Sequence, residues 1–225
     1  MFDTIILLTG AVEQAPLTTK LRRHRPDLAI TAVETAEDLA KLSPTSLHRA
    51  RLIGFATPVV VPRQMLNALG YGAYNFHPGP PQYPGWAPAH FALYDQIDQF
   101  GITLHEMAER VDSGAINETA SFPIPAGTDV AALESLTYTH LVKLFWDMAP
   151  TLATLATPLP RRSVYWGNKR NSRQAYRDIC EIPLNITRDE LHRRMHAFGG
   201  NDFGIAPSIH LHGVEFRAVR PEKAA

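Results

Sequence analysis

The sequence predicts an α/β protein: a mostly parallel sheet with helices on both faces, followed by a small α+β extension at the C-terminus. Three observations carry this expectation. Short apolar runs alternate with helical patterns as far as His77, the rhythm of successive β-α units. The first run, "TIILLTG", is continuous rather than alternating, as in a strand buried on both faces of a parallel sheet. The chain has 225 residues, 45% of them hydrophobic, which suits one large or two small packed domains.

The elements follow in order. "TIILLTG" (4–10) reads as the first strand. A basic helical segment, "LTTKLRRHR", follows and stops at Pro26. "LAITAV" (28–33) reads as the second strand, and "TAEDLAKL" (35–42) as a short helix ending near Ser43-Pro44. "ARLIGFA" (50–56) is the third strand. "PRQMLNALG" (62–70) is a helix with proline in its first turn and glycine after its last. The fourth strand ends in "YNFHPGPPQYPGW" (74–86). "APAHFALYDQ" (87–96) looks helical, and 100–124 reads as two extended segments joined by the turn-like "VDSG". The longest helical pattern covers 128–155, with Thr128 as N-cap and Asp129 in the first turn.

"TPLPRRS" (157–163) reads as a linker, dividing a catalytic domain, 1–157, from a small subdomain, 158–225. In the tail, Thr187 and Glu190 match a capping box. Leu191, Met195 and Phe198 continue that helix to Gly199-Gly200. "SIHLHGVEFRAV" reads as a hairpin turning at His212-Gly213.

Composition narrows the function. Lys+Arg and Asp+Glu are both 22, so no nucleic-acid surface or polybasic membrane patch is expected. The single cysteine, Cys180, cannot form an internal disulfide and is read as a packing residue. The N-terminus lacks a basic start and a cleavage region, and no run approaches roughly 18 apolar residues. A soluble cytoplasmic protein is expected, and a homodimer is compatible with the sequence.

Chemistry concentrates at the end of the fourth strand. Residues i and i+2 of a strand share a face, so Asn75 and His77 aim together into a crevice while Phe76 packs behind. His77 can move a proton near neutrality. Asn75 offers a neutral donor to a carbonyl oxygen gaining charge. Asp112 can reach back to orient the imidazole. Ligands in such folds bind beyond the carboxyl ends of the strands.

Other features carry less. "TGAVEQA" is not G-x-G-x-x-G, so no dinucleotide is expected. His192 and His196 have metal-ligand spacing but lack the H-E-x-x-H glutamate, and no metal is expected. His105 is read as structural or as supporting other site residues. Lys169, Arg170 and Arg173 are either a solvated surface or a phosphate contact.

"NFHPGPPQYPG" followed by "VDSGAI" resembles the folate-dependent formyltransferases, a family including glycinamide ribonucleotide, methionyl-tRNA and sugar-nucleotide formyltransferases. The resemblance covers residues 1 to about 155 and implies a Rossmann-like formyltransferase sheet. It places Asn75, His77 and Asp112 on the family's catalytic asparagine, histidine and aspartate. It implies 10-formyltetrahydrofolate as formyl donor, no metal, and an amine-bearing small molecule as partner, of amino-sugar nucleotide or amino-acid type. It places the folate site at Ala56, Thr57, Pro58, Val59 and Val60, mainly through the main chain, with Val111 and Gly114 on the opposite wall. Gly79 and Pro80-Pro81 depart from the family's usual residues, and about one β-α unit of the N-terminal half is missing or compressed. Two further readings therefore stay open. In one the chain is a hydrolase or uses a non-amine acceptor. In the other it is a catalytically silent folate-binding module.

Overall fold

The computed structural model describes residues 2–200 and 202–219. Six strands form the main sheet: β1 (Thr4–Leu8), β2 (Ala29–Val33), β3 (Ala50–Phe55), β4 (Ala73–His77), β5 (Gln99–Glu106) and β6 (Ile116–Pro123). Their spatial order is β2-β1-β3-β4-β5-β6. The first four pair in parallel, whereas β4/β5 and β5/β6 are antiparallel. The expected α/β class and mostly parallel sheet are observed.

The helices are α1 (Ala11–His24), α2 (Ala36–Ala40), α3 (Pro44–Leu47), α4 (Arg63–Ala68), α5 (Pro88–Tyr94), α6 (Val130–Thr154), α7 (Arg173–Cys180) and α8 (Arg188–Phe198). Several bounds differ from expectation. The first helix starts six residues before Leu17 and runs through Pro16. Pro44 opens α3 rather than marking only an end. Pro62 is the N-cap of α4, not a first-turn residue. Asp129, not Thr128, caps α6, its carboxylate accepting from Ala132 N at 2.9 Å. The Thr187 hydroxyl accepts from Glu190 N at 3.3 Å. The reciprocal half of that box is lost because the Glu190 carboxylate is taken by Tyr94, Arg193 and Arg194. The tail hairpin, β7 (Ser208–Leu211) and β8 (Val214–Arg217), turns at His212 and Gly213, both at positive φ.

Two apolar clusters flank the sheet. One contains Phe55, Phe76, Phe145 and Leu152, on the side of α1 and α6. The other contains Ile6, Leu8, Leu39, Leu47 and Leu52, on the side of α2 to α4. Asn75 and His77 project to this second side, opposite Phe76. Over β4 and β5 that side is covered by the 107–115 turn and by the chain after α6. Arg162 N donates to Ile116 O at 2.7 Å, and Trp166 Nε1 to Gly114 O at 2.8 Å. Tyr176 of α7 and Phe198 of α8 pack on α5 through Phe91.

Buried Arg51 on β3 holds the far end of α6. Its guanidinium donates to the carbonyls of Leu152 (2.7 Å), Leu155 (2.8 Å) and Thr157 (3.0 Å). A cation at these orphan carbonyls also suits the helix dipole. Among the described residues no helix is long and apolar enough to cross a membrane.

Candidate active site

The antiparallel pairing of β4 with β5 sets Asn75 directly opposite His105, so their side chains share a face. Asn75 Nδ2 lies 3.2 Å from His105 Nε2. His77 is two residues on, on the same face. The register of β5 against β6 shifts between Leu104 and His105, an irregularity of the kind that re-aims side chains at sites.

Asp112 closes the group. The turn bearing it leaves the end of β5, where Met107 N donates to Ala73 O of β4 at 2.8 Å, and folds back over the sheet face. One carboxylate oxygen, Oδ1, lies 3.3 Å from His105 Nε2. The other, Oδ2, lies 3.5 Å from His77 Nδ1 and accepts from Gly85 N at 2.8 Å. Burial pushes the Asp112 carboxyl up. The His105 hydrogen bond, the charges of both imidazoles and the Gly85 N–H more than offset this and hold it at about 2. It is a carboxylate throughout the neutral range.

His77 is buried and faces two acceptors: the Asp112 carboxylate on Nδ1 and the Tyr83 carbonyl, 3.2 Å from Nε2. A neighbouring carboxylate favours the charged form of an imidazole. Burial dominates instead and lowers its pKa, helped by the charges of His105 and Arg170 and opposed by Asp112 and Tyr83. The resting ring is neutral above the ordinary histidine range. A ring between two acceptors still has a place for a second proton taken up transiently. Trp166 shields it, with ring centroids 5.6 Å from His77 and 4.9 Å from His105.

These residues line a cavity of about 570 Å³. Ala56, Thr57, Pro58, Val59 and Val60 form one stretch of its wall, and Val111 lines it too. Ala56 starts that stretch in a left-handed conformation, φ 47°. Gly114 does not line the cavity: a Cβ there would meet Glu106 O at 1.9 Å, so glycine lets the turn close on β5. Trp86, Glu134, Arg170, Asn171 and Phe203 also line the cavity. Of the basic tail residues, only Arg170 lines the cavity; Lys169 is exposed, and Arg173 sits over the Trp86 ring at 5.8 Å. His192 and His196 are exposed on α8. Among the described residues no group of three or more His, Cys, Asp or Glu side chains could hold a metal.

Sequence reasoning undervalued His105 and missed the Asp112–Gly85 bond. Cross-strand register is not written in either strand alone; the period-two match of His105 with Asn75 was the available signal.

The family model described as "Formyl transferase" matches residues 52–145, the stretch holding Asn75, His77, His105 and Asp112. A methionyl-tRNA formyltransferase of Enterococcus faecalis is 28% identical over 158 residues, covering 69% of this chain and 49% of its own. The chain spans half or less of the length of the curated relatives it matches. A sugar N-formyltransferase structure from Shewanella superposes with a TM-score of 0.78 at 16% identity, over 96% of each chain. An N-formyltransferase from Helicobacter canadensis, solved with folinic acid and dTDP-3-aminofucose, gives a TM-score of 0.68 at 14% identity, over 95% of this chain and 85% of its own. At these identities the structural likeness is one of fold.

Proposed function

We propose that this chain, whose residues 52–145 belong to the formyl transferase family, moves a formyl group from 10-formyltetrahydrofolate to the amine of a small acceptor. The observation that carries the reading is the convergence of Asn75, His77, His105 and Asp112 on the wall of one cavity.

The geometry supports the following roles. The acceptor nitrogen attacks the formyl carbon, and the carbonyl electrons move onto oxygen. Asn75 is the neutral donor for that oxygen. Its Oδ1 is buried without a partner while Nδ2 faces His105. Turning the amide over pairs Oδ1 with the ring and frees Nδ2. His77 takes the proton that the nitrogen sheds. The carboxylate of Asp112 and the carbonyl of Tyr83 hold the imidazolium so formed. The bond from the formyl carbon to the folate nitrogen breaks, and His77 returns the proton to that nitrogen. Such acid–base help is typically worth about 10²–10⁴-fold.

The Ala56–Val60 stretch is assigned to the folate, and the lining around Trp86, Arg170 and Asn171 to the acceptor. An amino-sugar nucleotide is the preferred acceptor. The Shewanella sugar N-formyltransferase structure matches over 96% of both chains, whereas the methionyl-tRNA enzymes match over half or less of their length. Folinic acid, a folate, and an amino-sugar nucleotide are also what the H. canadensis enzyme was solved with.

The test is the absorbance change as 10-formyltetrahydrofolate loses its formyl group, with and without a pool of amino-sugar nucleotides. Turnover that needs the pool is expected. Formate release without it would assign a hydrolase instead. Folate binding with no turnover under any amine would assign a silent module.

A further inference from the structure

Asp112 sits in a backbone conformation that needs an outside hold. Its φ is 45°, in the left-handed region disfavoured for a residue with a Cβ. The hold comes from the tail, nearly sixty residues on. Arg170 donates Nη1 to the Val111 carbonyl and Nη2 to the Asp112 carbonyl, the latter at 3.1 Å. Both carbonyls flanking the strained peptide are thus gripped by one planar group.

The next residue holds the carboxylate's other neighbour. Asn171 N donates to Pro84 O at 2.8 Å, and Trp86 N donates to Asn171 O at 3.0 Å. Between them Gly85 gives its N–H to Asp112 Oδ2 at 2.8 Å. Gly85 is at φ +100°, and a Cβ on it would meet Asn171 O at 2.2 Å. Only glycine allows this approach. Two consecutive tail residues therefore brace the backbone of Asp112 and the amide that orients its carboxylate.

We propose that Arg170 is a positioning residue: it locks the left-handed turn at Asp112 so that the carboxylate faces His77 and His105 together. It acts through Asp112 and makes the tail part of the reacting unit. The kinetic arm of its test rests on the formyl-transfer reading; the spectroscopic arm does not.

The experiment compares Arg170→Gln, Arg170→Lys and Asp112→Asn with the unaltered chain. Proton NMR reports the ring N–H protons of His77 and His105 that Asp112 holds, assigned with His77→Gln and His105→Gln. Arg170→Gln should lose or broaden both, as Asp112→Asn does, while thermal melting stays within a few degrees. Its kcat should fall about tenfold to a hundredfold, with KM for the formyl donor changed less than about threefold. Arg170→Lys should recover part of both signals. Unchanged ring N–H protons in Arg170→Gln would overturn the proposal. Should that variant unfold, Arg170→Lys decides by the same protons: wild-type signals there would show that any cation suffices and that the planar grip is irrelevant. Absence of formyl transfer in the unaltered chain would remove the functional reading while the NMR comparison still judged Arg170.

Discussion

His105 lies closer to Asp112 than His77 does: Nε2 to Oδ1 is 3.3 Å, against 3.5 Å from His77 Nδ1 to Oδ2. One carboxylate thus serves two imidazoles, and the ring that bridges it to Asn75 is His105. The asparagine and the carboxylate are therefore coupled through a third side chain.

That coupling makes His105 a positioning residue. His105→Ala should lower kcat by roughly 10–100-fold while the donor's dissociation constant stays within about threefold. His105→Asn should retain more, since an amide can still bond Asn75. Steady-state kinetics with folate-binding titration checks both. Wild-type kcat in His105→Ala would remove the residue from the account.

Asp112→Asn keeps the shape and removes the charge. By comparison with other orienting carboxylates, kcat should fall by about 10³–10⁴-fold. Stability should respond too. The folded carboxyl is held at about 2, below its ordinary 3.8, so its contribution is full above the ordinary value and is lost as pH falls toward 2. That difference corresponds to about 2 kcal/mol. Denaturant melts between pH 5 and pH 2 should show a shallower acid loss in Asp112→Asn.

His77 titrates below the ordinary histidine value because it is buried. With the neutral ring as the proposed base, kcat/KM should stay flat on lowering the pH through 6.5 and fall only below it. The folded state also resists protonation, so the group's contribution to stability is full above 6.5 and shrinks as pH falls below that value. A pH–rate profile whose acid limb lies above 6.5 would contradict the assignment. His77→Ala should lose about 10²–10⁴-fold in rate with the fold kept.

Gly54 leaves room for Asn75. A Cβ there would meet Met107 Cε at 2.6 Å, Asn75 Oδ1 at 3.0 Å and Thr57 Cγ2 at 3.3 Å. The methionine can yield; the asparagine cannot without leaving its place. Gly54→Ala should fold with a melting temperature near wild type and lose at least about tenfold in kcat.

Arg51→Met tests the fold rather than the site. It strips the carbonyls of Leu152, Leu155 and Thr157 of their donor. Each buried group left unpaired costs about 1–3 kcal/mol. A loss of about 3 kcal/mol or more is expected in urea melts, without a change in the pH–rate profile.

The sheet was legible because β1 is a continuous apolar run, β3 is apolar apart from Arg51, and short apolar stretches lead into the other strands between turn residues. Asn75 and His77 were legible because alternation fixes their common face. Their partners were harder. His105 becomes a neighbour of Asn75 only through pairing register, which depends on the length of the loop through α5. Asp112 arrives by a left-handed turn whose brace, Arg170, looks in sequence like any solvated cation. Helix α7 hid behind the basic run "GNKRNSRQ", its start marked only by the Ser172 cap, whose hydroxyl accepts from Ala175 N at 3.0 Å. Pro16 misplaced the start of α1, since a proline within a helix usually signals an end.

The central claim is that the cluster on Asp112 transfers a formyl group to an amine. The most direct measurement supplies 10-formyltetrahydrofolate carrying a ¹³C-formyl label together with amino-sugar nucleotides, and follows the label by NMR in the unaltered chain and in His77→Ala. The label should appear as a formamide on an acceptor nitrogen, and only with the unaltered chain. Label released solely as formate, or formamide formed equally by His77→Ala, would contradict it.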